Sequence, residues 1–203
     1  MAPAGRYRTF DREKALDAAL EVFWRHGYEG ASVAELTQAM GINRPALYAA
    51  YRGKKDLFFR AVDRYNAVHA VHTLLALKEP TAQRATQRYL LRSVEQFTDP
   101  DRPLGCFVLQ GALVCAPENS DVAAYMAGLR RTAETELRKR YEQALHDGDL
   151  PQAEDPAALA LYVCVLRHGL AVMACSGATR AELNDSVDRA LDGMTTRIAG
   201  GGR

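Results

Sequence analysis

SVAELTQAMGINRPALYAAY, residues 32–51, predicts two short helices that meet at a tight turn. Gly41 stands at the bend, where the positive φ of a sharp helix end penalises any residue with a Cβ. Asn43 is a favourable N-cap, and Pro45 suits the first turn of the second helix, where its missing N–H costs nothing. This pattern is a helix-turn-helix, whose second helix is the candidate to enter a DNA major groove. Apolar residues fall where the two crossing helices must touch, at Leu36, Met40, Ile42 and Leu47.

The residues before and after the helix-turn-helix stretch carry further motifs. Leu47-Tyr48 is followed by YRGKKDLF at 51–58, and AALEVF at 18–23 and GYEGASV at 27–33 precede the two helices. Together they resemble the signature of the TetR family of transcriptional regulators, in which a Leu-Tyr pair and an aromatic residue close the recognition helix. The resemblance covers residues 10–62, with Ala50 where many members carry His. An ordinary corner between two core helices has the same spacing, but several motifs in register favour the helix-turn-helix.

The fold class is predicted to be all-α, because Pro and Gly punctuate helical stretches and no alternating β-branched runs occur. Beyond the hairpin, the expected helices are 11–26, 54–77, 81–97, 104–114, 121–146, 156–176 and 180–197. The resemblance implies an N-terminal three-helix helix-turn-helix DNA-binding domain, residues 1–53. A helical-bundle effector-binding and dimerisation domain, residues 54–203, would follow it.

The helix expected at 156–176 is apolar on more than one face, which predicts burial on several sides. The resemblance implies that the last two helices form a homodimer interface; the alternative is a central helix in a monomeric bundle. Apolar stretches such as 157–165 fall short of the ~20 residues of a membrane helix. No signal segment precedes the first helix, so no membrane partner and a cytoplasmic location are expected.

Composition and charge add little to the prediction of function. The chain has 203 residues, 48% of them hydrophobic, and a net charge of +1. Basic residues exceed acidic ones in the first 60 residues, while the remainder is slightly acidic. That distribution suits a DNA reader attached to a different module, and it equally suits a solvated basic face.

Eight residues are predicted to contact double-stranded operator DNA. Arg44 is the predicted base reader, because a guanidinium matches the O6 and N7 edge of guanine. Tyr48 and Lys54 are predicted phosphate contacts. Ser32 and Asn43 would assist them from helix starts. The small residues expected to lie against thymine methyl groups are Pro45, Ala46 and Ala49.

The resemblance further implies that a small-molecule effector binds inside the second domain and releases the repressor from its operator. No cofactor is expected, and two histidines on one helix face are weak grounds for a metal site. The expected wall of the effector pocket consists of Tyr65, His69, His72, Tyr89, Phe97, Cys106, Phe107, Gln110, Tyr125, Met126 and Tyr162.

Cys106 has a second possible role besides that of a pocket wall residue. It follows Pro103 and Gly105 at a predicted helix start, where partial positive charge makes a thiol more reactive. A similar Gly-Cys occurs in some oxidant- or electrophile-sensing TetR relatives, which suggests a thiol switch with Cys115 as resolving partner. A small buried packing residue is the competing interpretation. The four cysteines form no C-x-x-C pair, so neither disulfides nor zinc are expected.

Two other classes of function remain open on the sequence. One is a helical thiol-dependent enzyme resembling a peroxidase, and the other is an adaptor that binds only protein. The sequence holds no G-x-S-x-G, no H-E-x-x-H and no phosphate-binding loop, so a transcriptional regulator and not an enzyme is the favoured interpretation.

Overall fold

A computed structural model describes residues 11–70 and 75–200 of the chain, with side chains given for all of these except 70 and 195–200. Every regular element within those ranges is helical, and no strand occurs there, as predicted. The α-helices are α1 Arg12–Gly30, α2 Val33–Met40, α3 Arg44–Tyr51, α4 Lys54–Tyr65, α5 Ala82–Phe97, α6 Phe107–Gln110, α7 Ser120–His146, α8 Pro156–Cys175 and α9 Arg180–Gly200. Short 3₁₀ turns cover Ala76–Lys78 and Pro117–Asn119.

Helices α1 to α4 form the amino-terminal head. Phe23, Leu36 and Leu47 are fully buried between them, and α4 packs along α1. The apolar core continues from this head into the rest of the molecule through a cluster of aromatic rings. Phe107 lies 5.4 Å from Phe58 and 5.6 Å from Tyr65, centroid to centroid. The head is therefore not an isolated unit but shares its core with the body.

Helix α4 is shorter than the sequence predicted. Its regular turns end at Tyr65, and the chain continues as a π-helical turn over Asn66–Ala70. Residues 71–74, within the expected helix 54–77, lie outside the described ranges.

The buried helix expected over 104–114 is also reduced, to the four residues of α6. Leu104, Leu113 and Val114 are 43%, 62% and 84% exposed, so the prediction of a continuous buried helix was wrong. The Gly111 carbonyl accepts a bond from Tyr28 N at 2.6 Å, so this acceptor is committed outside the segment. The Val108 carbonyl, which would accept from Ala112 N if α6 continued, accepts instead from Arg130 Nη1 at 2.9 Å.

Helix α8 has the length and composition of a membrane-crossing helix. The sequence analysis did not predict this, because the uninterrupted apolar stretches are shorter than a membrane helix. A single such helix is weak evidence, because core helices meet the same criteria. Its middle carries Arg167 and His168, and it packs against α5 and α7. These contacts bury one side of the helix within the chain, and its other side stays exposed.

Gly27 determines how α1 ends. It has φ +68° and ψ 177°, and a Cβ there would lie 3.2 Å from the Gly111 carbonyl oxygen. Only glycine adopts this backbone conformation without strain. The kink turns the last residues of α1 toward the body and allows Tyr28 to bond Gly111.

Gly27→Ala is expected to lower the free energy of unfolding by roughly 1–3 kcal/mol, the strain of this conformation in a residue with a side chain. Urea unfolding of the purified variant measures it. Gly128→Ala is the matched control, because Gly128 is helical and a Cβ there meets nothing within 4 Å. The control should leave stability unchanged or raise it by about 0.5–1 kcal/mol. Equal effects of the two variants would contradict the role given to Gly27.

Candidate DNA interface and effector cavity

Helix α3 presents one face to solvent. Leu47 and Tyr51 are buried against the head, whereas Tyr48 is 46% exposed. The other predicted contacts on this helix are exposed as well: Arg44, Pro45, Ala46 and Ala49. Arg44 makes no hydrogen bond or ion pair with any residue of the described ranges, so its guanidinium is available to a ligand.

The two capping residues retain donors of their own. Ser32 Oγ accepts from Glu35 N at 3.1 Å, and Glu35 Oε2 accepts from Ser32 N at 2.9 Å, which completes a capping box. Asn43 Oδ1 accepts from Ala46 N at 2.9 Å. The Ser32 hydroxyl proton and the Asn43 amide protons are left to donate, and a phosphate is a suitable acceptor.

Lys54 is placed differently from the other predicted contacts. Its ammonium lies 4.5 Å from the centroid of the Tyr28 ring and donates to the Glu29 carbonyl at 3.5 Å. Burial lowers the pKa of Lys54. The side chain therefore ties the start of α4 to the end of α1, and its phosphate contact stays a prediction.

A cavity of about 250 Å³ lies between α4, α5, α7, α8 and the segment that contains α6. Of the expected wall residues, it brings together Tyr65, His69, Tyr89 and Cys106. Phe97, Phe107 and Met126 are buried in the core beside it and do not line it.

The remaining expected wall residues lie elsewhere. Gln110 is half-buried and donates to the Leu104 carbonyl at 3.1 Å. Tyr125 is exposed and donates to Asp63 at 3.2 Å, and Tyr162 is exposed on α8. His72 falls outside the described residues.

Sequence reasoning missed the charged part of the cavity wall. Arg130, Arg167 and His168 line it, and none of them was a candidate. A signal existed for two of them, since Arg167-His168 interrupts an otherwise apolar helix. A charge in such a position is rarely neutral for stability, so it indicates either a buried partner or a ligand.

The polar groups of the cavity are connected to one another. The Tyr65 hydroxyl accepts from Gln96 Nε2 at 2.5 Å and donates to Cys106 Sγ at 3.5 Å. Burial raises the pKa of Tyr65, with a smaller contribution from Cys106. Burial likewise raises the pKa of Cys164 to about 11. Tyr65 and Cys164 are therefore uncharged at neutral pH.

The pKa of His168 reflects its burial and the positive charges beside it in the cavity. Burial first, and then the positive charges of Arg167 and Arg130, lower the pKa of His168 to about 4. The imidazole is therefore neutral near pH 7, and the cations beside it resist its protonation.

The connecting segment, residues 105–121, joins the cavity to the head. Its Cys106 end lines the cavity, and Tyr28 N bonds Gly111 further along. Glu29 Oε1 then accepts from Ala116 N at 3.0 Å and from Asn119 Nδ2 at 2.9 Å. Lys55 pairs with Asp121 at 2.9 Å.

Comparison with known proteins shows which family has this architecture. The model of the bacterial regulatory proteins of the tetR family matches residues 15–61. The HTH-type transcriptional repressor ComR of Escherichia coli (strain K12) is 32% identical over 183 residues, 88% of this chain and 86% of ComR. The chain belongs to the TetR family of transcriptional regulators.

Two further TetR-family proteins are similar to this chain over nearly its whole length. YezE of Bacillus subtilis (strain 168), an uncharacterized HTH-type transcriptional regulator, is 31% identical over 92% of this chain and 97% of its own length. A solved complex of a cysteine mutant of the TetR family regulator CifR with 26-bp double-strand operator DNA superposes with a TM-score of 0.88. That protein is 37% identical, and the match covers 92% of this chain and 98% of the other.

Membership in the TetR family makes the chain a DNA-binding transcriptional regulator, as the sequence predicted. It also decides against the enzyme considered from the sequence, since this family is one of non-enzymatic DNA-binding proteins. The helix-turn-helix is accordingly a DNA-binding motif and not an ordinary helical corner.

His168 in this TetR-family chain makes stability depend on pH. The unfolded chain takes up a proton at this residue as pH falls below about 6.5, while the folded chain resists it until about pH 4. The free energy of unfolding should therefore fall as pH falls from about 6.5 to about 4. His168→Gln should lose less of that free energy over the same range than the wild-type protein does. Urea unfolding at several pH values between these limits measures the difference.

His146→Gln is the control, because the side chain of His146 is 84% exposed on α7. This variant should follow the wild-type pH dependence. If His168→Gln followed it too, His168 would not be protonated preferentially in the unfolded chain.

Proposed function

We propose that this TetR-family regulator is a repressor that binds operator DNA as a homodimer and leaves it when the cavity is occupied or Cys106 is modified. The observation that carries the DNA step is the solvent face of α3, where Arg44 has no partner among the described residues and lies beside small side chains. Such a face fits a major groove, with the guanidinium directed at base edges. Ser32 and Asn43 would hold the phosphates on either side through their remaining donors.

An exposed apolar stripe on α8 supports the homodimer. Its large members recur at three- and four-residue steps along the helix, and Gly169 lies within the stripe with open space around it. A stripe of this kind buries itself against a copy of the same surface, and a small residue at the crossing lets two backbones approach closely. The exposed large residues are Leu161, Tyr162, Val165, Val172 and Met173.

Helix α9 contributes to the proposed interface in another way. Leu183, Val187 and Leu191 are buried within the subunit, so the exposed side chains over residues 180–194 of α9 are mostly polar and small. The apolar contact between subunits would therefore come from α8, with α9 at its edge. A two-fold dimer built this way can place two recognition helices about 34–36 Å apart, one turn of DNA.

The effector step follows from the connecting segment. An effector in the cavity contacts Cys106, Val108 and Leu109, and a shift of these residues changes the position of Gly111 relative to α1. The end of α1 leads directly into α2, so the helix-turn-helix would move with it. A linkage of this kind requires that the effector bind one of the two arrangements better than the other.

Thiol modification would act at the same place. Cys106 is 1% exposed and faces the cavity, and its sulfur has two donors nearby, the Tyr65 hydroxyl at 3.5 Å and Arg167 Nη2 at 3.9 Å. An adduct on this sulfur would occupy the cavity much as a bound molecule does. A reactive effector and a reversible one would then share one mechanism of release.

Arg44→Ala is expected to weaken binding to the protein's own upstream DNA by about 1–3 kcal/mol and to relax the sequence preference, because a bidentate base contact is lost. Fluorescence anisotropy with specific and scrambled duplexes at several salt concentrations measures both. Arg138→Ala, which removes an exposed arginine on α7, is the charge-matched control and should bind as wild type. Lys54→Ala should instead weaken all sequences alike. Unchanged discrimination in Arg44→Ala would exclude Arg44 as the base reader.

Val165→Glu is expected to convert the dimer to monomers and to weaken operator binding, because it places a charge in the apolar stripe of α8. Sedimentation velocity measures the association state. Val114→Glu is the matched control for association alone, since Val114 is the more exposed valine and lies in the connecting segment outside α8, and it should remain dimeric. A wild-type protein that sediments as a monomer, or a Val165→Glu variant that remains dimeric, would contradict the proposed interface.

A further inference from the structure

We infer that the cavity selects a small organic anion, a carboxylate on a compact apolar body, and that Arg167 binds the carboxylate. This inference deepens the proposed function, because it rests on the cavity being the effector site and names the chemical class of the effector.

The first support is the environment of Arg167. The guanidinium lies over the rings of Tyr89 and Phe97, 5.6 Å and 5.1 Å from their centroids. Its Nε donates to the hydroxyl of the buried Ser93 at 3.0 Å. Within the described ranges no carboxylate pairs with it. A guanidinium is charged at every physiological pH, and a buried charge without a counter-ion is unfavourable.

The geometry of Arg167 leaves its outer edge free. Nε donates to Ser93, while among the described residues the terminal nitrogens make one long contact, from Nη2 to Cys106 Sγ at 3.9 Å. The two terminal nitrogens therefore present a fork of parallel N–H bonds. A carboxylate accepts two such bonds at once, which adds directional specificity to the charge attraction.

A second cation and its surroundings give the cavity a positive potential. Arg130 Nη1 donates to the Val108 carbonyl at 2.9 Å, and this guanidinium also lacks a carboxylate partner in the part of the chain that the structure describes. Glu136 is the acidic residue on the wall, and it already pairs with Lys139 at 2.8 Å. The depressed pKa of His168 is the expected effect of the two arginines after burial.

The rest of the wall sets the size and character of the ligand. Val108, Leu109 and Leu129 provide an apolar surface opposite the charged groups. A cavity of roughly 150 Å³ holds benzene, and this cavity of about 250 Å³ therefore has room for a single substituted ring or a short branched chain. An inorganic anion would leave the apolar wall without contacts.

Trp24 provides a direct measure of occupancy. It is the one tryptophan of the sequence, and its ring lies 4.9 Å from Tyr65 and 5.6 Å from His69, both of which line the cavity. Its fluorescence can be followed in the full-length protein without DNA. The probes are benzoate, phenylacetate and isovalerate, each compared with its neutral amide.

We expect at least one carboxylate to change the fluorescence saturably and to bind about ten-fold or more tightly than its amide, the ratio typical of a charge-assisted hydrogen bond. Arg167→Met should abolish that preference, and Arg138→Met on the exposed face of α7 should retain it. Arg167→Met removes an unpaired buried cation, so its fold should persist. If it does not fold, Arg167→Lys keeps the charge, loses the fork and should bind the carboxylate more weakly than wild type.

Equal binding of acid and amide, wild-type affinity in the Arg167 variants, or no saturable change with any of the three acids would overturn the inference. So would inorganic phosphate that competes as well as the best acid. The DNA step is tested separately. A carboxylate that binds through Arg167 yet leaves operator affinity unchanged supports the inference and contradicts the proposed release by effector.

Discussion

The hydrogen bond from Tyr28 N to the Gly111 carbonyl, at 2.6 Å, holds the DNA-binding head against the body. Gly27 makes it possible, because its backbone conformation turns the end of α1 toward the connecting segment. This bond and the conformation of Gly27 set the direction in which α1 ends, and they hold the connecting segment, which reaches from the cavity, against the helix that precedes α2.

The contacts around that bond are suited to a two-state junction. The Lys55–Asp121 ion pair is exposed, and such pairs contribute about 0–1 kcal/mol. Glu29 holds Ala116 and Asn119 at the surface, so water can replace either bond when the segment moves. The contacts of the Phe107 ring with Trp24, Phe58 and Tyr65 are buried, in contrast to these surface bonds. A ligand that bound one arrangement of this segment more tightly than another would shift their populations by that ratio of affinities.

The features that local chemistry determines were predictable from the sequence. Gly41 does adopt the left-handed conformation, Asn43 caps α3, and Tyr51 is buried while Arg44 is exposed. The cavity was predictable only in part, because an aromatic residue on a helix does not say which face is inward, and Tyr125 and Tyr162 point outward. The short α6 depends on a partner far away in sequence. Arg167 was not predicted, because α8 is apolar on more than one face and its sequence does not show which face lines the cavity.

Helix α8 connects the cavity to the proposed dimer interface. Arg167 and His168 face the cavity from one side of this helix, while Val165 and Val172 lie on its exposed side. The opposite wall of the cavity includes Tyr65, at the end of the helix that packs along α1. A ligand between these walls therefore lies between the element that would fix the two-fold axis and the elements that carry the recognition helix. In the proposed homodimer, a change in the separation of the two walls would therefore change the spacing of the two recognition helices.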